Sequence, residues 1–151
     1  MENKLHLIFT YGPPCAGKTT FAKHWVQEHD NWFYIGADAL RKAMYGSEDI
    51  YGNGELIYQC LLEAINYNLA RGRNVIYDAT NLRKDYRLDF LNHITSECKK
   101  EIYIFNVEER VAMKRHKNRH RSIPWSDLSK YFHMKEEYPT IDEGWYDIKV
   151  F

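Results

Sequence analysis

The sequence predicts an α/β fold: a three-layer αβα sandwich with a mostly parallel central sheet of about five strands. Short apolar runs alternate with amphipathic segments along the whole chain, the pattern of consecutive βαβ units with helices on both faces of the sheet. Glycine and proline punctuate the runs where a strand must hand over to a helix. The 151 residues suit one hydrophobic core, and residues 1–151 are read as a single domain.

Leu5 to Thr10 has strand length and is stopped by Tyr11-Gly12-Pro13-Pro14. Thr19 to Glu28 reads as a helix with Phe21, Ala22, Trp25 and Val26 on one face. Asn31 to Ile35 is a second strand, Asp38 to Tyr45 a short helix, and Gly46 to Gly54 a glycine-rich loop. Glu55 to Arg71 carries the clearest helical spacing, through Leu61, Leu62, Ile65 and Leu69, with Gly72 where a C-terminal cap belongs. Asn74 to Tyr77 is a buried strand ending at Asp78. A helix over Lys84–Cys98, a strand over Glu101–Val107 and a helix from Glu108 to about His116 follow. Pro124-Trp125-Ser126 opens a helix expected to reach Glu136, and Trp145 to Phe151 is a last strand.

Hydrophobic residues at 44% and charged residues at 28% give an ordinary globular balance. Lys and Arg number 21, as do Asp and Glu, so the formal net charge is +0. A dedicated non-specific nucleic-acid binder is basic overall; here any basic footprint must be local. Cys15, Cys60 and Cys98 are widely spaced and include no C-x-x-C pair, so neither a disulfide framework nor a zinc site is expected. Met1-Glu2-Asn3-Lys4 runs straight into the first strand without the look of a signal peptide, and no apolar run has membrane-spanning length. A soluble, cytoplasmic protein is expected.

Gly12-Pro13-Pro14-Cys15-Ala16-Gly17-Lys18-Thr19 fits G-x-x-x-x-G-K-[ST], with a strand before it and a helix after it. The glycines let the backbone curl until successive N–H groups face one anion. The helix that follows offers its N-terminus to phosphates. Lys18 then reaches the β- and γ-phosphates, and Thr19 binds Mg²⁺ through its hydroxyl. Gly12 to Thr20 are accordingly the expected contacts of ATP, and the fold is that of a P-loop NTPase. Cys15 reads as a small filler within the loop.

In a doubly wound sheet, the loop after a strand faces the crevice beside the phosphate loop. Asp38, after the second strand, is a candidate base for the proton of an attacking hydroxyl. Arg41 lies three residues on, shares its helix face and can hold an anion on the acceptor. The structural alternative makes Asp38 an N-cap and Arg41 a solvated helix residue. Asp78, closing the third strand, is the expected companion of Thr19 in ordering Mg²⁺, or else a turn residue. Asn81 is placed with Asp38, Arg41 and Asp78 on the acceptor side, although Thr80 and Asn81 can also serve to fix the turn.

Lys114 to Arg121 is the densest charge run of the chain, and Pro124 follows it. Such a run is ordinarily a solvated face. Phosphoryl transfer, however, needs cations over the γ-phosphate on a segment that closes. Arg115 and Arg119, four apart, would project together from a helix. Residues from about 110 to 125 are therefore read as a helical lid, with Arg119 the catalytic cation beside Lys18. His116 and His120 share the same spacing, but no third ligand is evident and no metal site is expected there.

Together, Gly12-x4-Gly17-Lys18-Thr19, Asp38-x-x-Arg41, Asp78-Ala79-Thr80-Asn81-Leu82 followed by Arg87, Arg115-x3-Arg119-x-Arg121-x-Ile123-Pro124, and the ending Glu143-Gly144-Trp145 resemble a known family. It is the kinase domain of phage-type polynucleotide 5′-kinases and related small P-loop kinases of the AAA type, and the likeness covers nearly the whole chain. The resemblance implies an ATP- and Mg²⁺-dependent kinase for the 5′-hydroxyl end of DNA or RNA. It implies Asp38 as general base, Arg41 on the acceptor's 3′-phosphate, and Arg115 and Arg119 on the donor phosphates. Ala37 and Ala39 flank Asp38, where the family often carries a polar residue and a second acid. A kinase for a small molecule, such as a nucleoside, sugar or antibiotic, is the alternative favoured by neutral charge and compact size. A nucleotide-binding regulatory module, in which Asp38 has no chemical role, is a third reading.

Overall fold

A computed structural model describes residues 4–135 and 137–151. Met1 to Asn3, and Glu136 at the expected end of the last helix, lie outside the described residues. Among the described residues, five strands form an all-parallel sheet in the order β2-β3-β1-β4-β5. They are β1 (His6–Tyr11), β2 (Trp32–Gly36), β3 (Asn74–Asp78), β4 (Lys99–Ile104) and β5 (Asp147–Val150). The helices are α1 (Lys18–Glu28), α2 (Ala37–Tyr45), α3 (Gly54–Ala70), α4 (Lys84–Asn92), α5 (Glu109–Arg119) and α6 (Trp125–Leu128). Two 3₁₀ turns, Ser129–Phe132 and Ile141–Glu143, precede β5.

Side chains alternate across the sheet. Leu7, Phe9, Val75, Tyr77, Ile102 and Ile104 pack with Leu61, Ile65 and Leu69 of α3 and Phe90 of α4. Ile8, Ile76 and Tyr103 pack in the opposite layer with Ala22, Phe21 and Trp25 of α1. Strands covered on both faces read as continuous apolar runs, which is why β1 and β3 stand out in the sequence. The chain runs from β1 to β2 and β3 on one side, then crosses to β4 and β5 on the other. The loop after β1 therefore lies at the reversal of strand order, where ligands of open α/β sheets bind.

Several boundaries depart from expectation, and the larger departures have identifiable causes. α4 stops at Asn92 instead of Cys98, because Asn66 of α3 caps it. The Asn66 amide donates to the His93 carbonyl at 2.9 Å, and its oxygen accepts from the Thr95 N–H at 3.1 Å. β4 starts two residues earlier and ends three earlier than expected, since its span is set by pairing with β1 from His6↔Lys99 to Tyr11↔Ile104. α5 runs on to Arg119, where His120 closes it in a left-handed conformation at φ 54°. The helix expected over Ser126–Glu136 is only the short α6. The Ser129 hydroxyl donates to the Ser126 carbonyl at 3.1 Å and the chain tightens into a 3₁₀ turn.

Arg87 of α4 is completely buried, and its guanidinium holds the turn after β3 to the segment before β5. Nε and Nη2 each donate to the Glu143 carboxylate at 3.1 Å. Nη1 donates to the carbonyls of Asn81 (2.9 Å) and Leu82 (3.1 Å), and Nη2 to that of Glu137 (2.6 Å). Burial pushes the Glu143 carboxyl up, but the hydrogen bonds from Arg87 and Trp145 and the Arg87 charge outweigh it and leave the carboxyl below its usual range.

Candidate active site

The loop from Gly12 to Gly17 joins β1 to α1. Gly12 has φ 152°, its N–H donates to the Thr80 carbonyl at 3.0 Å, and a Cβ there would collide with the Phe105 carbonyl. Gly17, at φ 95°, makes the left-handed step that starts α1. Lys18 is buried, and its ammonium donates to the carbonyls of Gly12 (2.8 Å) and Pro13 (2.5 Å). Burial lowers its pKa to about 8, against the opposing pull of the Asp78 and Asp38 charges.

Asp78 ends β3 and is 5% exposed. Its Oδ2 accepts from the Thr19 hydroxyl and from the Tyr34 hydroxyl, each at 2.6 Å. Burial and the neighbouring Asp78 charge raise the Tyr34 phenol far above its ordinary pKa, so it stays a donor. Tyr34 reaches Asp78 across Gly36, where a Cβ would overlap its ring. The Thr10 hydroxyl donates to the Ala79 carbonyl at 2.9 Å and accepts from the Ala79 N–H at 3.1 Å, pinning the exit of β3 to β1.

Asp38 is not the N-cap of α2. Gly36 takes that place, and Asp38 is the second helical residue, where the helix dipole favours an anion. The Arg41 guanidinium donates to Asp38 Oδ1, and Arg121 Nη1 stands 3.9 Å from Oδ2. Arg121 also meets Asp49 at 2.6 Å and Glu48 at 3.1 Å, while the Ser122 N–H and hydroxyl donate to Asp49 at 3.0 and 2.8 Å. The end of the basic segment is thus tied to the glycine-rich loop. Arg115 Nη1 donates to the Cys15 carbonyl at 2.9 Å, and Arg119 Nη1 lies 3.9 Å from Cys15 Sγ, so both arginines lie against the loop.

A cavity of about 240 Å³ gathers these groups. Its walls include Pro14 to Thr19, Asp38, Arg41, Asp78, Arg119 and Arg121. Glu48, Tyr51 and Tyr131 also line it, and Tyr34 stands behind Asp78. The sequence singled out none of these last four for a role, nor Asp49. Arg115 and Thr20 line a different groove, of about 680 Å³, with Phe21, Trp25 and Phe105 on the outer side of the loop. Asn81 does not line this cavity but a neighbouring one, with Tyr58, Tyr77 and Tyr86. At φ 49° it donates its amide to the Thr10 carbonyl at 2.8 Å, which is the turn-fixing role.

The Thr19 hydroxyl and the Asp78 carboxylate are adjacent hard oxygen donors at the cavity wall, one neutral and one anionic. That set suits Mg²⁺, which takes one or two protein oxygens and completes its shell with water and phosphate oxygens. No helix among the described residues is long and apolar enough to cross a membrane.

Fold and loop together define a P-loop protein of the α/β class. The sequence model of the AAA domain family matches residues 7–130, and the chain belongs to that family. No protein of curated function matches it by sequence. Among solved structures, it superposes on a chain of a Pnkp1/Rnl/Hen1 RNA repair complex with TM-score 0.77 and 24% identity, covering 88% of this chain and 44% of that one. Kti12 from Chaetomium thermophilum, in complex with ADP-AlF3, gives TM-score 0.68 at 17% identity, covering 96% and 88%. A sugar kinase from Janibacter sp. HTCC2649 gives 0.70 at 21%, covering 98% and 84%. The chain spans less than half the length of the RNA repair chain. At these identities the likeness establishes the fold.

Proposed function

We propose that the chain acts as one domain, an ATP-dependent cytoplasmic kinase that transfers the γ-phosphate to a hydroxyl, with the 5′-hydroxyl end of DNA or RNA as its acceptor. The observation that carries this reading is the carboxylate of Asp38, paired with Arg41 and lining the same cavity as the phosphate loop. Nucleotide binding alone gives no reason for that pair. The ADP-AlF3 complex of Kti12 supports a nucleotide on this fold. The RNA repair chain supports a polynucleotide acceptor.

In this mechanism the donor phosphates lie on the loop N–H groups and Lys18, with the nucleoside in the groove beside Phe105 and Arg115. Mg²⁺ held by Thr19 and Asp78 would neutralise charge on the phosphate oxygens. Arg119 faces the transferring group. The acceptor oxygen attacks the γ-phosphorus in line as the bond to the β–γ bridging oxygen breaks. The hydroxyl proton passes to Asp38, and ADP leaves. Arg41 holds the acceptor's 3′-phosphate. A small-molecule acceptor is the second reading, favoured by the modest size of the cavity and by the sugar kinase fold likeness. Labelled-phosphate transfer to 5′-hydroxyl oligonucleotides beside nucleosides and sugars separates the two.

Two outcomes follow from the electrostatics. Bound phosphates restore the Lys18 ammonium, so nucleotide binding is expected to take up a proton at about pH 8.5 and far less at about pH 7. Calorimetry in buffers of different ionisation enthalpy reads this, and Lys18→Met should abolish it. Arg121→Ala removes charged hydrogen bonds of about 1.5–3 kcal/mol each in general. It should raise the acceptor KM about tenfold or more in steady-state kinetics, with the ATP KM little changed.

A further inference from the structure

A second cavity adjoins the first. It measures about 270 Å³, and both are lined by Ala79, Thr80 and Tyr131. The rest of its wall is mainly aromatic and apolar, with Tyr58, Tyr77, Tyr86, Phe90, Leu82 and Met134 beside the polar Asn81 and Arg83. Tyr77 and Phe90 are buried and stacked, with ring centroids 4.9 Å apart at 17°. The Tyr58 hydroxyl is tied to Asp89, which fixes that ring. The Arg83 guanidinium lies 4.2 Å from the centre of the Tyr86 ring and is held by Asp85 through bonds of 2.6 and 3.1 Å. Tyr86 and Met134 nonetheless remain 53% and 36% exposed.

This wall suits a flat ring better than a free sugar. A sugar's hydroxyls need hydrogen-bond partners to replace water, and a wall of rings and a thioether offers few. A planar aromatic ring gains from π-faces, sulfur and a flat guanidinium. The cleft is also next to the cavity in which Asp38 would meet the acceptor hydroxyl, so one acceptor molecule can occupy both. We propose that it is a stacking subsite for a nucleobase of the acceptor, with Tyr86 at its mouth. The proposal rests on the kinase reading and extends it: the acceptor class is a nucleoside or nucleic-acid end, not a sugar or other ring-free alcohol.

The test is steady-state transfer from ATP by the whole chain to a 5′-hydroxyl oligonucleotide and to the same oligonucleotide made abasic at its two 5′-terminal positions. Base–aromatic stacking is worth about 1–3 kcal/mol per base. The abasic acceptor should therefore show a KM raised about tenfold or more. Tyr86→Ala should bring the two acceptors' KM values together, and Tyr86→Phe should keep them apart. Equal KM values for both acceptors with the unaltered protein would overturn the subsite. So would a Tyr86→Ala variant, folded by its melting curve, that discriminates as before. Phosphorylation of sugars with no use of either oligonucleotide or any nucleoside would overturn the subsite and leave the kinase reading standing. Failure to label any hydroxyl would bring down the kinase reading, and the subsite with it.

Discussion

Asp38→Asn is expected to lower turnover by about a hundredfold or more, with ATP still bound. Asparagine matches aspartate in shape and keeps an oxygen for Arg41, but it cannot accept the hydroxyl proton. The nucleotide side of the site keeps its own contacts: Lys18 is held by the loop carbonyls, and Asp78 by Thr19 and Tyr34. Removing an acid from the first turn of α2 costs about 0.3–1 kcal/mol of dipole interaction, too little to unfold the domain. Single-turnover transfer and a nucleotide titration on the same preparation read the two halves. Turnover within a few-fold of the unaltered protein would remove Asp38 from the chemistry. Loss of ATP affinity in step with turnover would make it a nucleotide contact instead.

Glu143→Ala should have the largest effect on stability. It leaves the Arg87 guanidinium, 0% exposed, without its carboxylate partner. Breaking a buried pair on one side costs about 3–5 kcal/mol. For a domain of this size that is a fall of about 6–20 °C in Tm. The same pair gives a pH signature. Glu143 titrates below its ordinary value of 4.5 in the folded chain, so the stabilisation is fully present above that value. It is lost as pH falls through the lower, folded value. The Tm gap between the Glu143→Ala variant and the unaltered protein should therefore narrow as pH is lowered below 4.5. A Tm change under about 2 °C at neutral pH would show that the pair adds little.

How far the sequence reaches depends on how local the signal is. The phosphate loop was legible because strand, glycines, Lys18, Thr19 and helix are contiguous. The sheet was legible because doubly covered strands are apolar throughout. Helix ends were less so: α4 is stopped by Asn66, which lies elsewhere in the chain, and no pattern within α4 announces it. The same holds for the site. Arg121 looked like one charge in a basic run, yet it meets Asp38, Glu48 and Asp49 across the cavity. Tyr34 could have been sought as a polar tip on a short strand before the candidate base, but only the sheet order brings it to Asp78. Asn81 sits in the motif with Asp78 but turns toward Thr10, because its left-handed backbone points the amide at β1.

The most direct test of the central claim follows labelled γ-phosphate from ATP with Mg²⁺ into 5′-hydroxyl DNA and RNA, nucleosides and sugars, with Asp38→Asn in parallel. The account predicts label on a hydroxyl acceptor, 5′-hydroxyl ends above all, and its loss in the variant. Release of phosphate to water alone, at a rate that no acceptor changes and Asp38→Asn does not lower, would contradict it.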